Sequence, residues 1–466
     1  MGGFFGVVAK QDCIADLFYG TDYHSHLGTM RGGLAVRTET GIERVIHDIT
    51  NAQFRSKFDG DIARLSGNAG IGVISDYEDQ PLIIGSHLGV YAIVTVGRIT
   101  NLDALAGAAF RKRTTHFSEM SGGAINPTEL VATLINQEAT FVAGIRRVQE
   151  MVEGSCSMLL LTAEGVYAAR DRRGRTPVIL GRKEDAWAAT FETCAFPNLD
   201  FAHVRDLGPG EIVRLTADGA EALAPPQADM RMCSFLWVYY GYPASTYEGR
   251  NVEDMRNRSG ARLSRRETVA VDEVAGIPDS GVGHGLGYAA ESRIPYRRPF
   301  VKYTPTWPRS FMPQNQKVRD LVARMKLIPI PELIRGKRIL FCEDSIVRGT
   351  QLRDTIRRLF AAGAREIHMR PACPPLLFGC PYLNFSRSKS ELDLIARRVV
   401  AEMEPGAADP PAAYGDPDSP QYAAMCARIG DLLGLTSLRY QRIEDMADAI
   451  GMPLCQLCTY CWNRRG

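Results

Sequence analysis

No stretch of this chain approaches the roughly 20 consecutive apolar residues that a membrane-spanning helix needs. The run at 158–161 is typical of its longest. An excess of one charge is also missing. The 55 Lys and Arg stand against 53 Asp and Glu, a net +2, so no electrostatic pull toward nucleic acid or an acidic membrane is expected. The opening Met-Gly-Gly-Phe-Phe-Gly has neither the basic region nor the cleavage site of a secretory signal, and Gly6 stands where a myristoylation motif wants Ser or Thr. A cytoplasmic location is therefore expected. The G-x4-G-K-[ST] loop of P-loop nucleotide binders is absent as well.

What is present fits an ordinary globular protein. The chain has 466 residues, 45% hydrophobic and 23% charged, enough for two or three domains with sizeable cores. Its 11 cysteines, odd in number and widely spread, do not read as a disulfide framework. Cys13, Cys156, Cys194, Cys342, Cys373 and Cys426 read as buried free thiols. Cys455, Cys458 and Cys461 are different: C-x2-C-x2-C presents several thiolates to one zinc or iron–sulfur centre.

The first 230 residues read as short strands with turn signals. Residues 157–162 and 166–171 are apolar runs joined by Ala-Glu-Gly, a hairpin signal. Further strands are expected at 177–180, 186–190 and 211–215, and a helix at 129–136. This mixture points to stacked sheets covered by helices. A break falls near Ala224-Pro225-Pro226. From about Cys233 the pattern changes to strand–helix alternation, with short runs at 269–277, 339–342 and 367–369, which predicts a parallel α/β sheet. Helices are expected at 423–433 and 444–450, beyond a Pro- and Ala-rich loop at 406–420.

The sharpest chemistry lies at 338–350. A buried strand ends in Glu343 and Asp344, at the sheet edge where open α/β folds bind ligands. The loop Ser345, Ile346, Val347, Arg348, Gly349, Thr350 then feeds a helix marked by Leu352, Ile356, Leu359 and Phe360. Backbone N–H groups and the helix dipole at such a junction suit a phosphate. The two acids suit sugar hydroxyls or hydrated Mg²⁺. A sugar phosphate is the expected ligand.

Glu343-Asp-Ser-Ile-Val-Arg-Gly-Thr350 resembles the phosphoribosyl-diphosphate (PRPP) motif of type I phosphoribosyltransferases, and specifically that of the glutamine PRPP amidotransferase family. Gly276-Ile-Pro-Asp-Ser280 resembles that family's strand-end segment. Residues 303–316 resemble its closing loop, and Val322-Ala-Arg-Met-Lys326 its basic segment. The resemblance covers nearly the whole chain. It implies a four-layer αββα Ntn-hydrolase-like domain over residues 1–230, followed by a type I phosphoribosyltransferase α/β domain with a Cys-rich tail over residues 231–466. It assigns the ribose and Mg²⁺ to Glu343 and Asp344, with Ser280 in the Mg²⁺ shell. The 5′-phosphate goes to Ser345 through Thr350, and pyrophosphate to Arg324 and Lys326. Glu343 departs from the family's usual Asp, keeping the charge on a longer arm.

Some members of that family carry a [4Fe–4S] cluster. By resemblance its ligands here are Cys233, Cys380, Cys458 and Cys461, with Cys455 as a contested spare, and the cluster is a structural cross-link. The family's N-terminal domain frees ammonia from glutamine with an N-terminal Cys whose own α-amino group is the base. Where the family reads Cys-Gly-Val-Phe-Gly, this chain reads Gly2-Gly-Phe-Phe-Gly6. The same alignment puts Ser75 at the arginine that holds the glutamine carboxylate, Val96 at the oxyanion-hole Asn beside a retained Gly97, and Pro127 at the aspartate that holds the ammonium group. Arg31-Gly32 survives, with Met30 in place of a His. The glutaminase is expected to be dead, and the protein is expected to transfer an amine, ammonia in preference to glutamine nitrogen, to C1 of PRPP. A separate ammonia source is then a possible partner, and homo-oligomers are usual in the family. The alternatives are a PRPP- or nucleotide-binding pseudoenzyme and an ordinary glutamine-dependent enzyme of purine biosynthesis.

Overall fold

The computed structural model describes residues 2–111, 117–118, 120–121, 123–303, 327–383, 390–406 and 409–466. Two antiparallel sheets occupy the N-terminal half. One has seven strands in the order Ala202–Asp206, Ile179–Lys183, Ala186–Thr190, Gly3–Ala9, Ala69–Ser75, Arg31–Thr38, Gly41–Asp48. The other has six: Ala220–Ala224, Ile212–Leu215, Gly165–Ala169, Gly154–Thr162, Gly89–Ile99, Leu82–Ser86.

Strand alternation explains the layering, because successive side chains point to opposite faces. Gly6 faces the second sheet so closely that a Cβ there would stand 2.9 Å from Leu159 Cδ1. Phe5 faces outward, where its ring touches Gly20 of the Ile14–Asp22 helix. On the second sheet, Leu159 and Leu161 join the core between the sheets. Their neighbours Met158 and Leu160 pack instead with Leu130, Leu134, Ile145 and Val148 of the Pro127–Ile135 and Phe141–Met151 helices. The result is four layers, helix–sheet–sheet–helix.

The C-terminal half holds a parallel sheet in the order Glu273–Gly276, Arg338–Glu343, Glu366–Pro371, Ser437–Leu438. It too is covered on both faces. Leu340 and Cys342 pack with Leu263 and Tyr288, whereas Ile339 and Phe341 pack with Ile356, Leu359 and Ile429. Both faces of the central strand are therefore apolar, as a doubly covered parallel strand requires. At the far end, Leu457–Cys458 pairs in parallel with Met232–Cys233. Among the described residues no helix is long and apolar enough to cross a membrane.

Candidate functional site

At the carboxyl end of the central parallel strand, Arg338–Glu343, the backbone turns through Asp344 to Arg348 and enters the Thr350–Ala361 helix. Gly349 makes that entry at φ +76°, a left-handed conformation that favours glycine. Its bare Cα also lets Ile395 approach, since a Cβ would lie 2.8 Å from Ile395 Cδ1. The Val347 carbonyl accepts from Ile395 N at 2.8 Å, and the Arg348 carbonyl accepts from Arg398 at 3.0 Å. These contacts fix the loop from behind and leave its outer side toward solvent.

Two hydroxyls converge on one carboxylate here. Ser345 donates to Asp344 at 2.6 Å, and Ser280 donates to the other oxygen of the same group. Ser280 stands directly before the Gly281–Ser292 helix, which meets the strand end so tightly that a Cβ at Gly281 would lie 2.4 Å from the Cys342 carbonyl oxygen. Glu343 bonds the Asp344 N–H at 3.1 Å. Burial first, and the Asp344 charge second, push the Glu343 carboxyl well above the usual carboxylate range. Lys302 holds the adjoining Asp279 at 2.5 Å. Behind the acids sits Arg256, 3% exposed and bonded to the carbonyls of Trp237, Tyr239 and Gly241. Its burial works against its charge, and the Asp344 carboxylate works for it. Nothing in the sequence marks Arg256, which lies in the plain Val252–Arg265 helix with no motif around it. Arg324, Lys326 and residues 304–316 of the closing-loop resemblance lie outside the described residues.

The strand pairing places Cys233 opposite Cys458, and Cys380 and Cys461 meet beside them. A hydrogen bond with Cys461 draws the Cys380 thiol down to about 7 and holds Cys461 well above the ordinary thiol range. Cys455 is exposed. The structure thus groups the four cysteines singled out and leaves the fifth aside, although no set of three or more His, Cys, Asp or Glu among the described residues stands at metal-holding geometry. Arg175 reaches this group from the N-terminal half, where it touches Cys458. Its guanidinium lies 3.6 Å above the Tyr382 ring. The residue is 6% exposed, yet its Nε has no hydrogen-bond partner. A buried guanidinium beside four thiols, with one N–H left unpaired, suits a bound group of net negative charge. Cys13, Cys156, Cys194, Cys342, Cys373 and Cys426 are all buried.

At the N-terminal end, Gly2 lies beside Ser75, and strand pairing brings Arg31 opposite Ser75. A Cβ at position 2 would stand 2.4 Å from the Ile74 carbonyl oxygen. Position 2 therefore lacks both a nucleophile and the room for one. Arg31 is bound at 2.5 Å by Asp48 and at 2.7 Å by Asp79. Gly97, at φ +145°, and Pro127 line one cavity of about 200 Å³ with Glu78, Thr95, Ser155 and Cys156. Val96 is buried and its side chain offers no donor. Gly2, Ser75 and Arg31 thus form one neighbourhood and Gly97 and Pro127 another, while Val96 packs in the core between the sheets.

No family model matches the chain. Among curated proteins it is 30% identical over 476 residues to an amidophosphoribosyltransferase of Mycobacterium tuberculosis (strain ATCC 25618 / H37Rv), covering 99% of this chain and 85% of that protein. It is 31% identical over 395 residues to the amidophosphoribosyltransferase of Synechococcus elongatus, covering 83% and 73% respectively. Among solved structures, the glutamine PRPP amidotransferase from B. subtilis complexed with ADP and GMP superposes with a TM-score of 0.85 at 25% identity, covering 99% of this chain and 96% of that one. The fold is accordingly an Ntn-hydrolase domain joined to a phosphoribosyltransferase domain. With full-length relatives at this identity and the same two-part architecture, the chain belongs to the amidophosphoribosyltransferase family.

Proposed function

We propose that this protein transfers an amine to C1 of PRPP and takes that amine as ammonia or a small amine, not from glutamine. The observation that carries the second half is Gly2, where a Cβ would collide with the Ile74 carbonyl. Amide hydrolysis in this family's manner needs a thiol at that position and a donor for the oxyanion. Here the one is replaced by hydrogen and the other by the Val96 side chain.

For the transferase half, the loop Ser345–Ile346–Val347–Arg348–Gly349–Thr350 is read as the seat of the 5′-phosphate, held by backbone N–H groups and the helix end. Glu343 and Asp344 are read as the acids facing the ribose. The amine nitrogen attacks C1 and forms the C–N bond. The bond from C1 to the pyrophosphate oxygen breaks, its electrons leave with pyrophosphate, and the nitrogen then loses a proton to solvent. Asp344, with Ser280 beside it, is read as the Mg²⁺ seat; the ion would neutralise the leaving pyrophosphate. Cys233, Cys380, Cys458 and Cys461 are read as the ligands of a [4Fe–4S] cluster that pins the tail to the core.

The test is pyrophosphate release from PRPP with glutamine, ammonium chloride or methylammonium as the nitrogen source. Release with ammonium and none with glutamine is expected. Equal rates with glutamine and ammonium would refute the loss of the glutaminase. No release with any amine would refute the transferase reading and leave a binding subunit.

A further inference from the structure

The N-terminal cavity lined by Glu78, Thr95, Gly97 and Pro127 stands open. Ser75 stands where a carboxylate would need a cation, and the nearby Arg31 is taken up by Asp48 and Asp79. Arg98, on the rim, donates to the Cys380 carbonyl at 2.9 Å. What faces the space instead is an acceptor. Glu78 receives a hydrogen bond from Gln80 Nε2 at 2.8 Å. Gln80 cannot turn over, because its Oε1 accepts from Thr95 N at 2.6 Å and its Nε2 also donates to the Thr95 carbonyl at 3.1 Å. The amide N–H₂ is therefore fixed toward Glu78, which must act as the acceptor. Ser155, also among the lining residues and 2% exposed, has a buried hydroxyl with no hydrogen-bond partner. A buried hydroxyl left unpaired is costly and calls for a partner.

We propose that this cavity binds a small organic ammonium ion, with Glu78 as its counter-charge and the Ser155 hydroxyl as a second acceptor. The volume of about 200 Å³ is ample for a small organic ion, since a cavity of about 150 Å³ takes a benzene ring, and Pro127 and Ile99 supply an apolar wall for an alkyl group. The inference rests on the reading that the cavity no longer processes glutamine; it does not require the transferase to be active.

The experiment titrates the full chain, without PRPP and in an amine-free phosphate buffer at about pH 8, where Glu78 is ionised. The probe is methylammonium chloride, followed by calorimetry or ligand-observed NMR, with sodium chloride, glycine and L-glutamine as comparisons. Saturable methylammonium binding is expected. Glu78→Gln should weaken it by about tenfold or more and Ser155→Ala by several-fold, while Asp344→Asn, in the other half, leaves it unchanged. Should Glu78→Gln fail to fold, Glu78→Asp withdraws the charge by one methylene and should give an intermediate loss. No saturation up to ~100 mM, an affinity indifferent to Glu78, or tighter binding of glycine or glutamine overturns the proposal. Pyrophosphate release is measured separately. Methylammonium binding without turnover sinks the transferase reading alone, and turnover without binding sinks the cavity alone.

Discussion

If the glutaminase is absent as proposed, a thiol placed at position 2 should not supply one. In Gly2→Cys the new Cβ would lie 2.4 Å from the Ile74 carbonyl oxygen, where real contacts stay above 3.0 Å, a shortfall of about 0.6 Å. The Ala69–Ser75 strand has little freedom to give way, since Ile74 is paired with Gly3 on one side and Gly32 on the other. Overpacking of this kind costs ~1–3 kcal/mol, and for a domain of this size each kcal/mol lowers the melting temperature by about 2–4 °C. If the thiol does seat, it meets an oxyanion site short of one donor, worth ~10²–10³ in rate. It also meets a substrate carboxylate with no guanidinium to clamp it, worth ~1.5–3 kcal/mol or roughly 10–100-fold. Together these put Gly2→Cys ~10³–10⁵ below an intact site. The assay is glutamate release at high glutamine, alongside a thermal melt and mass spectrometry of the mature N-terminus. A correctly processed Gly2→Cys protein that melts like the parent and hydrolyses glutamine at about one turnover per second would show that position 2 has room for a thiol and that the rest of the glutaminase site is intact.

Asp344→Asn should lower ammonium-dependent pyrophosphate release by ~10²-fold or more with an unchanged melt, because Ser280 and Ser345 can still bond the amide; undiminished turnover would remove Asp344 from the site. Cys380→Ser and Cys461→Ser should each abolish bound iron and visible absorbance in anaerobically prepared protein, while Cys455→Ser changes neither; equal loss in all three would redraw the ligand set. Burial raises the Glu78 carboxyl from 4.5 to about 7, so the folded state keeps a proton that the unfolded chain has released. Stability should therefore fall as pH rises from about 4.5 to about 7 and level off above. Glu78→Gln should gain urea resistance over the parent at pH ~8 relative to pH ~5, and a pH-independent difference would contradict the burial argument. A gain there together with lost ammonium binding would mark Glu78 as a residue retained at the expense of stability.

The elements that stood out in the sequence were those whose pattern is set locally. The 186–190 strand is observed with the same bounds, and the Ala-Glu-Gly hairpin closes with Thr162 opposite Gly165. The 129–136 helix begins two residues earlier, at Pro127, because Asn126 caps it by accepting from the Thr128 N–H. The expected 269–277 strand shrinks to Glu273–Gly276; only there does it lie beside Arg338–Glu343, and β-branched Val269 and Val271 pack at its approach instead. The 343–350 segment is legible because a strand, two acids, a glycine and a helix are contiguous. Arg256, Glu78, Ser155 and Arg175 were not, because each acts through partners far away in sequence. Gln80 matters only through Thr95, and Arg175 only through Tyr382 and Cys458, and such pairings leave no periodic trace.

The short pairing of Met232–Cys233 with Leu457–Cys458 also governs the order in which this protein can be completed. Ser234 reaches the Cys458 carbonyl at 3.0 Å across 224 residues of chain. During synthesis the N-terminal half emerges first and can fold as a unit, but Cys233 must wait until nearly the whole second half has left the ribosome. A thiol group assembled from both ends of that span cannot exist before the second half has been made. Any metallic guest of these four cysteines has to be delivered to a protein whose two halves are already built.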